Sequence, residues 1–155
     1  MTTQKDKAFA FKALHDNPGM FVLPNPWDVG SARILAGLGF KALASTSAGF
    51  AASTGVADYQ ITRDLKLAHI RALAPATPLP LTADLENGFG HSPETCAETI
   101  RLGAEAGLVG GSIEDFTGDD ARPQYEIAEA ADRVRAAVEA ANALPFPFLV
   151  TARAE

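Results

Sequence analysis

The sequence predicts an α/β protein built on a parallel sheet. Three observations predict it. Short apolar runs without polar alternation recur along the chain, helical patterns separate them, and polar residues gather at the trailing ends of the runs. Strands buried on both faces read as continuous apolar segments, and parallel neighbours need a crossover of helix length.

Residues 3–16 carry Phe9, Ala10, Ala13 and Leu14 at helical spacing, and Asn17-Pro18-Gly19 stops that helix. A first run, Met20 to Leu23, meets Pro24-Asn25-Pro26, and Asp28 then caps a helix that ends at Gly37 or Gly39. A second run, Lys41 to Ser45, leads into the small-residue stretch TSAGFAASTGVADYQ. Thr62 caps the helix RDLKLAHIRALA, which Pro75 and Pro78 terminate. The third run is Leu79 to Ala83. Ser92-Pro93 gives a cap followed by proline at the first helical position, for a helix reaching about Gly107. Val109 to Ile113 is the fourth run, and the loop EDFTGDDARPQ separates it from an alanine-rich helix over Tyr125 to Asn142. Phe146 to Thr151 is the fifth.

Five such units behind a leading helix fit two folds, a doubly wound sheet or part of a (β/α)8 barrel. No Gly-x-Gly-x-x-Gly follows the first run, so the nucleotide-binding form of the open sheet loses support. A complete barrel takes about 250 residues. The expectation for 155 residues is therefore one domain, residues 1–155, forming the N-terminal part of a barrel truncated after strand five.

Hydrophobic residues make up 47% and charged residues 21%, as in a water-soluble globular chain. The net charge of -6, with no basic cluster, argues against nucleic acid as a partner. No apolar run is long enough to span a bilayer, the N-terminus lacks a signal-peptide core, and a lone Cys96 fits a reducing compartment. The expected location is the cytoplasm.

In both candidate folds ligands bind at the carboxyl ends of the strands. Ser45, Thr46 and Ser47 follow the second run, with Asp58 further along; Asp84 and Glu86 follow the third; Glu114 and Asp115 the fourth; Arg153 the fifth, with Glu155 beyond it. Acids converging from three loops repel unless a cation sits among them. With oxygen donors only, that cation is Mg2+, or Mn2+, with one carboxylate bound directly and the others acting through water. In an extended strand Asp84 and Glu86, two apart, point to the same side. Arg153 has the fork geometry to grip a substrate carboxylate, or else pairs with Glu114 or Glu155. Asp28 and Asp119-Asp120 read instead as helix-start charges, Asp115 as a solvated loop residue, Cys96 as core and Trp27 as packing. No lysine lies at a strand end, which disfavours a Schiff-base aldolase.

Together these residues resemble the isocitrate lyase/phosphoenolpyruvate mutase superfamily, along "LPNPWDVGSARILAGLGFKAL", "TADLENGFG", "GGSIED" and "TARAE". The resemblance implies a (β/α)8 barrel that forms homo-oligomers and binds a small 2-oxo or 2-hydroxy carboxylate. It also implies a Mg2+-dependent lyase that cleaves a C–C or P–C bond through an enolate on the metal. Asp84 matches the direct metal ligand, and Asp58, Glu86 and Glu114 match the holders of its water shell. Thr46 and Ser47, beside Ser45, match the turn that grips the substrate carboxylate, while Arg153 matches the arginine that neutralises it. Glu114 and Arg153 are the residues expected to serve catalysis. The segment EDFTGDDARPQYEIAEA departs from the lyases, having none of their loop's Lys, Cys or His, and Ala44 stands where the mutase has tryptophan. Decarboxylation of an oxaloacetate-type substrate is the expectation that suits this altered loop. Methylisocitrate-like cleavage, or a non-catalytic metabolite-binding barrel, is the alternative.

Overall fold

A computed structural model describes residues 2–154. Four strands, β1 (Leu43–Ser45), β2 (Leu81–Asp84), β3 (Gly110–Glu114) and β4 (Leu149–Arg153), pair side by side and parallel in chain order. The order never reverses. A doubly wound sheet reverses at a switch point, so that alternative falls and the progressive order of a barrel wall remains.

Among the described residues six helices accompany the sheet: α1 (Gln4–Asp16), α2 (Val29–Gly37), α3 (Ser47–Thr54), α4 (Arg63–Leu73), α5 (Pro93–Glu105) and α6 (Ile127–Asn142). Local chemistry sets most of their starts. The Thr3 and Asp28 side chains form reciprocal capping boxes with Asp6 and Ser31. Thr46, Thr62 and Ser92 each accept the amide three residues on. No side chain caps α6, which begins two residues later than its alanine pattern suggests. Asp119, expected at a helix start, accepts instead from the Ala121 amide in a turn of the preceding loop.

Two expectations need correction. The run Met20 to Leu23 forms no strand, so four strands stand among the described residues where five were expected. The two residues after it bond β1 instead, with Ala44 N donating to Pro24 O (3.0 Å) and Asn25 Nδ2 donating to Ala44 O (2.8 Å). Pro24 and Pro26 have no N–H to give a ladder, and Met20 and Val22 point into solvent. The small-residue stretch after β1, in turn, contains α3, held between the Thr46 cap and left-handed Gly55 (φ 80°).

The main core lies between the sheet and α4, α5 and α6. Leu43, Ile70, Leu81, Leu85, Ile100, Leu108 and Ile113 are all at most 3% exposed there. Each such side chain contributes roughly 1.5–3 kcal/mol on burial. A smaller cluster, with Phe11 of α1 against Ala42 and Val109, closes the N-terminal end of the sheet. Gln4 Nε2 and Lys7 Nζ tie α1 down by donating to Ala104 O and Leu108 O, and to Ala74 O and Thr77 O. Adjacent glycines in β3 permit this packing. A Cβ at Gly110 would come 2.9 Å from Leu149 O, and one at Gly111 would come 2.7 Å from Leu85 Cδ1. With the other end of the sheet sealed by α1, the carboxyl end stays open to ligands. Among the described residues no helix is long and apolar enough to cross a membrane.

Candidate metal and carboxylate site

Three of the expected site residues are the last residues of their strands. Asp84 ends β2, Glu114 ends β3 and Arg153 ends β4. Register sets the pairing: Glu114 is the partner of Arg153, and Asp84 is the partner of Ser112, which in turn pairs with Thr151. A cavity of about 440 Å³ opens above this row, lined by Asp58, Asp84, Arg153 and the Ser45–Ala48 segment at the start of α3.

Asp84 is held from two sides. Ser47 donates to its Oδ2 through Oγ (2.5 Å) and backbone N (3.2 Å), and Glu86 N donates to Oδ1 (3.0 Å). Burial pushes the Asp84 carboxyl up. The Ser47 and Glu86 hydrogen bonds and the charge of Lys66 outweigh burial and hold it below the usual carboxylate range. Arg153 Nη1 lies 3.3 Å from Glu114 Oε2 and 3.6 Å from Asp84 Oδ2. Of the two partners foreseen for Arg153, Glu114 is thus present; Glu155 lies outside the described residues.

Glu86 does not follow the strand alternation. The ladder ends at Asp84, and Glu86 has φ 50°, a left-handed turn that sends its side chain away from the first cavity. It lines a neighbouring cavity of about 450 Å³ instead. There it is 4% exposed with Oε1 unpartnered. Burial first, and then the charges of Asp84 and Asp58, push its carboxyl up to about 7. Asp58 is exposed on its loop, with Oδ1 accepting from Tyr59 N. Glu114 is 3% exposed and accepts the Tyr59 hydroxyl on Oε1.

Among the described residues no three Asp, Glu, His or Cys side chains come close enough to ligate one ion together. The expected set therefore fits a cation only as one direct carboxylate with the others acting through water. Two features favour such a cation. Glu86 keeps a buried carboxylate oxygen without a partner, and every acid of the set offers hard oxygen donors suited to Mg2+ or Mn2+.

The serine turn divides its hydrogen bonds unevenly. Ser47 spends its hydroxyl and amide on Asp84, while Thr46 Oγ1 accepts from Gly49 N and keeps its O–H to donate. Ser45 is 1% exposed on the cavity wall with an unpartnered Oγ, so its hydroxyl, like that of Thr46, is left to donate.

The sequence reading missed three residues. Lys66 of α4 is fully buried with Nζ unpartnered, and burial, offset in part by Asp84, Glu86 and Asp58, lowers its ammonium to about 8. A signal existed: Lys66 shares the helical face of Leu67, Ile70 and Leu73. Arg133 of α6, 1% exposed, donates to the carbonyls of Asn87, Gly90 and His91, with its guanidinium 4.0 Å from the Tyr125 ring centroid. It fixes the loop that follows Glu86. Tyr59, which bonds Glu114 from 55 residues away, left no signal.

The family model for phosphoenolpyruvate phosphomutase matches residues 11–155. The chain belongs to this family. Within the phosphoenolpyruvate phosphomutase family and its isocitrate lyase relatives, the progressive parallel sheet is the first part of a (β/α)8 barrel. The 2-methylisocitrate lyase of Escherichia coli is 34% identical over 142 residues, covering 86% of this chain and 47% of that protein. A Burkholderia cenocepacia protein provisionally assigned as a lyase/mutase is 59% identical (TM-score 0.96), over 98% of this chain and 55% of that one. A phosphonopyruvate hydrolase solved with oxalate and Mg2+ is 26% identical (TM-score 0.89), over 96% of this chain and 52% of that one. The chain spans about half the length of these relatives.

Proposed function

We propose that this chain carries the metal- and carboxylate-binding half of a Mg2+-dependent lyase. Its substrate would be a small 2-oxo or 2-hydroxy carboxylate, with decarboxylation of an oxaloacetate-type acid favoured. The observation that carries the reading is Asp84. It ends β2 at the floor of a cavity, kept ionised by Ser47 and Glu86 N, with the unpartnered buried oxygen of Glu86 two residues further along. Asp84 would hold the ion directly, and Asp58, Glu86 and Glu114 would hold its waters. The phosphonopyruvate hydrolase, bound to oxalate and Mg2+, lends support from a relative.

When bound, Mg2+ supplies Lewis-acid charge for the negative charge that builds on the substrate's 2-oxo oxygen as the neighbouring bond breaks. The protein's own groups do the rest. The Arg153 guanidinium turns its fork to a substrate carboxylate. Ser45 Oγ donates to the same ligand, and the N-terminal end of α3 favours its negative charge. Loss of CO2 asks little beyond such positioning and an electron sink, which suits a segment 114–130 without Lys, Cys or His. The runner-up, methylisocitrate-like C–C cleavage, draws on the likeness to 2-methylisocitrate lyase.

Calorimetry with oxalate, with and without Mg2+, tests the site, and pyruvate release from oxaloacetate or methylisocitrate tests the reaction. Mg2+-dependent oxalate binding with turnover of either acid supports the proposal. Binding without turnover of a broad panel marks a metabolite-binding barrel, and no Mg2+-dependent binding removes the reading.

A further inference from the structure

Among the described residues Tyr59 alone lines both the 440 Å³ cavity over Asp84 and the 450 Å³ cavity over Glu86. Contacts on several sides hold it between them. Its hydroxyl donates to Glu114 Oε1, its ring meets Phe116 edge-on at 4.7 Å, and its amide donates to Asp58 Oδ1. The backbone there has φ 59°, a left-handed conformation that a large side chain adopts only under constraint from its surroundings. The second cavity is polar, with Arg63, Glu86, Asn87 and His91 on its wall.

We propose that Tyr59 is a specificity-determining residue. Its ring is the partition that confines a ligand to the cavity over Asp84 and denies a longer carboxylate access to the cavity over Glu86. The inference rests on the proposed function, because it takes the first cavity as the substrate site. With the ring in place, a two-carbon dicarboxylate fits beside Asp84 and Arg153. A ligand with a third carboxylate arm would have to cross the position that the ring and its bond to Glu114 occupy.

The experiment compares oxalate with propane-1,2,3-tricarboxylate, by calorimetry on the whole chain at fixed free Mg2+. Tyr59→Gly and Tyr59→Asn both delete the ring, and both residues accept left-handed backbone, so each variant keeps the loop conformation. Wild type is expected to prefer oxalate, and both variants are expected to shrink that preference by about tenfold or more, the range in which pocket size discriminates between ligands. An unchanged preference in either variant overturns the role of Tyr59 and leaves the proposed site standing. Absence of Mg2+-dependent oxalate binding in wild type overturns the proposed function, and the partition with it.

Discussion

Replacing Glu86 by glutamine separates a carboxylate placed for a cation from one that merely survives burial. Glu86 is 4% exposed, Oε1 has no partner, and its carboxyl is raised from the ordinary 4.5 to about 7. A group raised in the folded state binds its proton more tightly there than in the unfolded chain. Its contribution to folding is complete below about 4.5 and is lost as the pH rises through about 7. That interval corresponds to about 3 kcal/mol. Glutamine keeps the shape and never ionises, so Glu86→Gln escapes the loss. In urea unfolding without divalent cations, wild type should lose about 3 kcal/mol more than the variant between about pH 5 and pH 8.5. Saturating Mg2+ at the higher pH should restore wild type and stabilise the variant less, since a ligand stabilises only as far as the folded state binds it. The variant keeps Asp84 but lacks one holder of the ion's waters. Parallel pH profiles for the two proteins, or equal stabilisation of both by Mg2+, would refute the reasoning.

Three further outcomes are expected. Asp84→Asn keeps an acceptor for Ser47 but loses the charge, and Mn2+ affinity read by electron paramagnetic resonance should fall at least about 100-fold. Arg153→Gln should weaken Mg2+-dependent oxalate binding by about 1.5–3 kcal/mol in calorimetry, the worth of a charge-assisted hydrogen bond. Arg133→Met removes a buried cation from three carbonyls. It should cost about 3–5 kcal/mol in denaturant unfolding and loosen the loop 87–91 in amide exchange.

Where the determinants are local, the sequence carries them. Asp28, Thr62 and Ser92 cap their helices because a cap is made by a side chain and an amide three residues away. The acids at the run ends were legible for a similar reason, since a parallel strand has no use for charge except at its tip. What stayed hidden depends on backbone angles and distant partners. Alternation put Glu86 beside Asp84, and a single left-handed residue sends it into the neighbouring cavity. Ser47 and Tyr59 take their roles from Asp84 and Glu114, 37 and 55 residues away, distances that no spacing rule spans. The helix α3 leaves no trace because its small residues show no apolar period, and the run Met20 to Leu23 reads as a strand because composition alone does not reveal its exposure.

The most direct measurement is an anomalous difference map from a crystal grown with Mn2+ and oxalate. The expected result is one peak about 2.1 Å from an Asp84 carboxylate oxygen, with Asp58, Glu86 and Glu114 reaching it through water and oxalate lying between the ion and Arg153. A map with no peak there, and Asp84 still bonded only to Ser47 and Glu86 N, would contradict a divalent-cation site at the mouth of this fold.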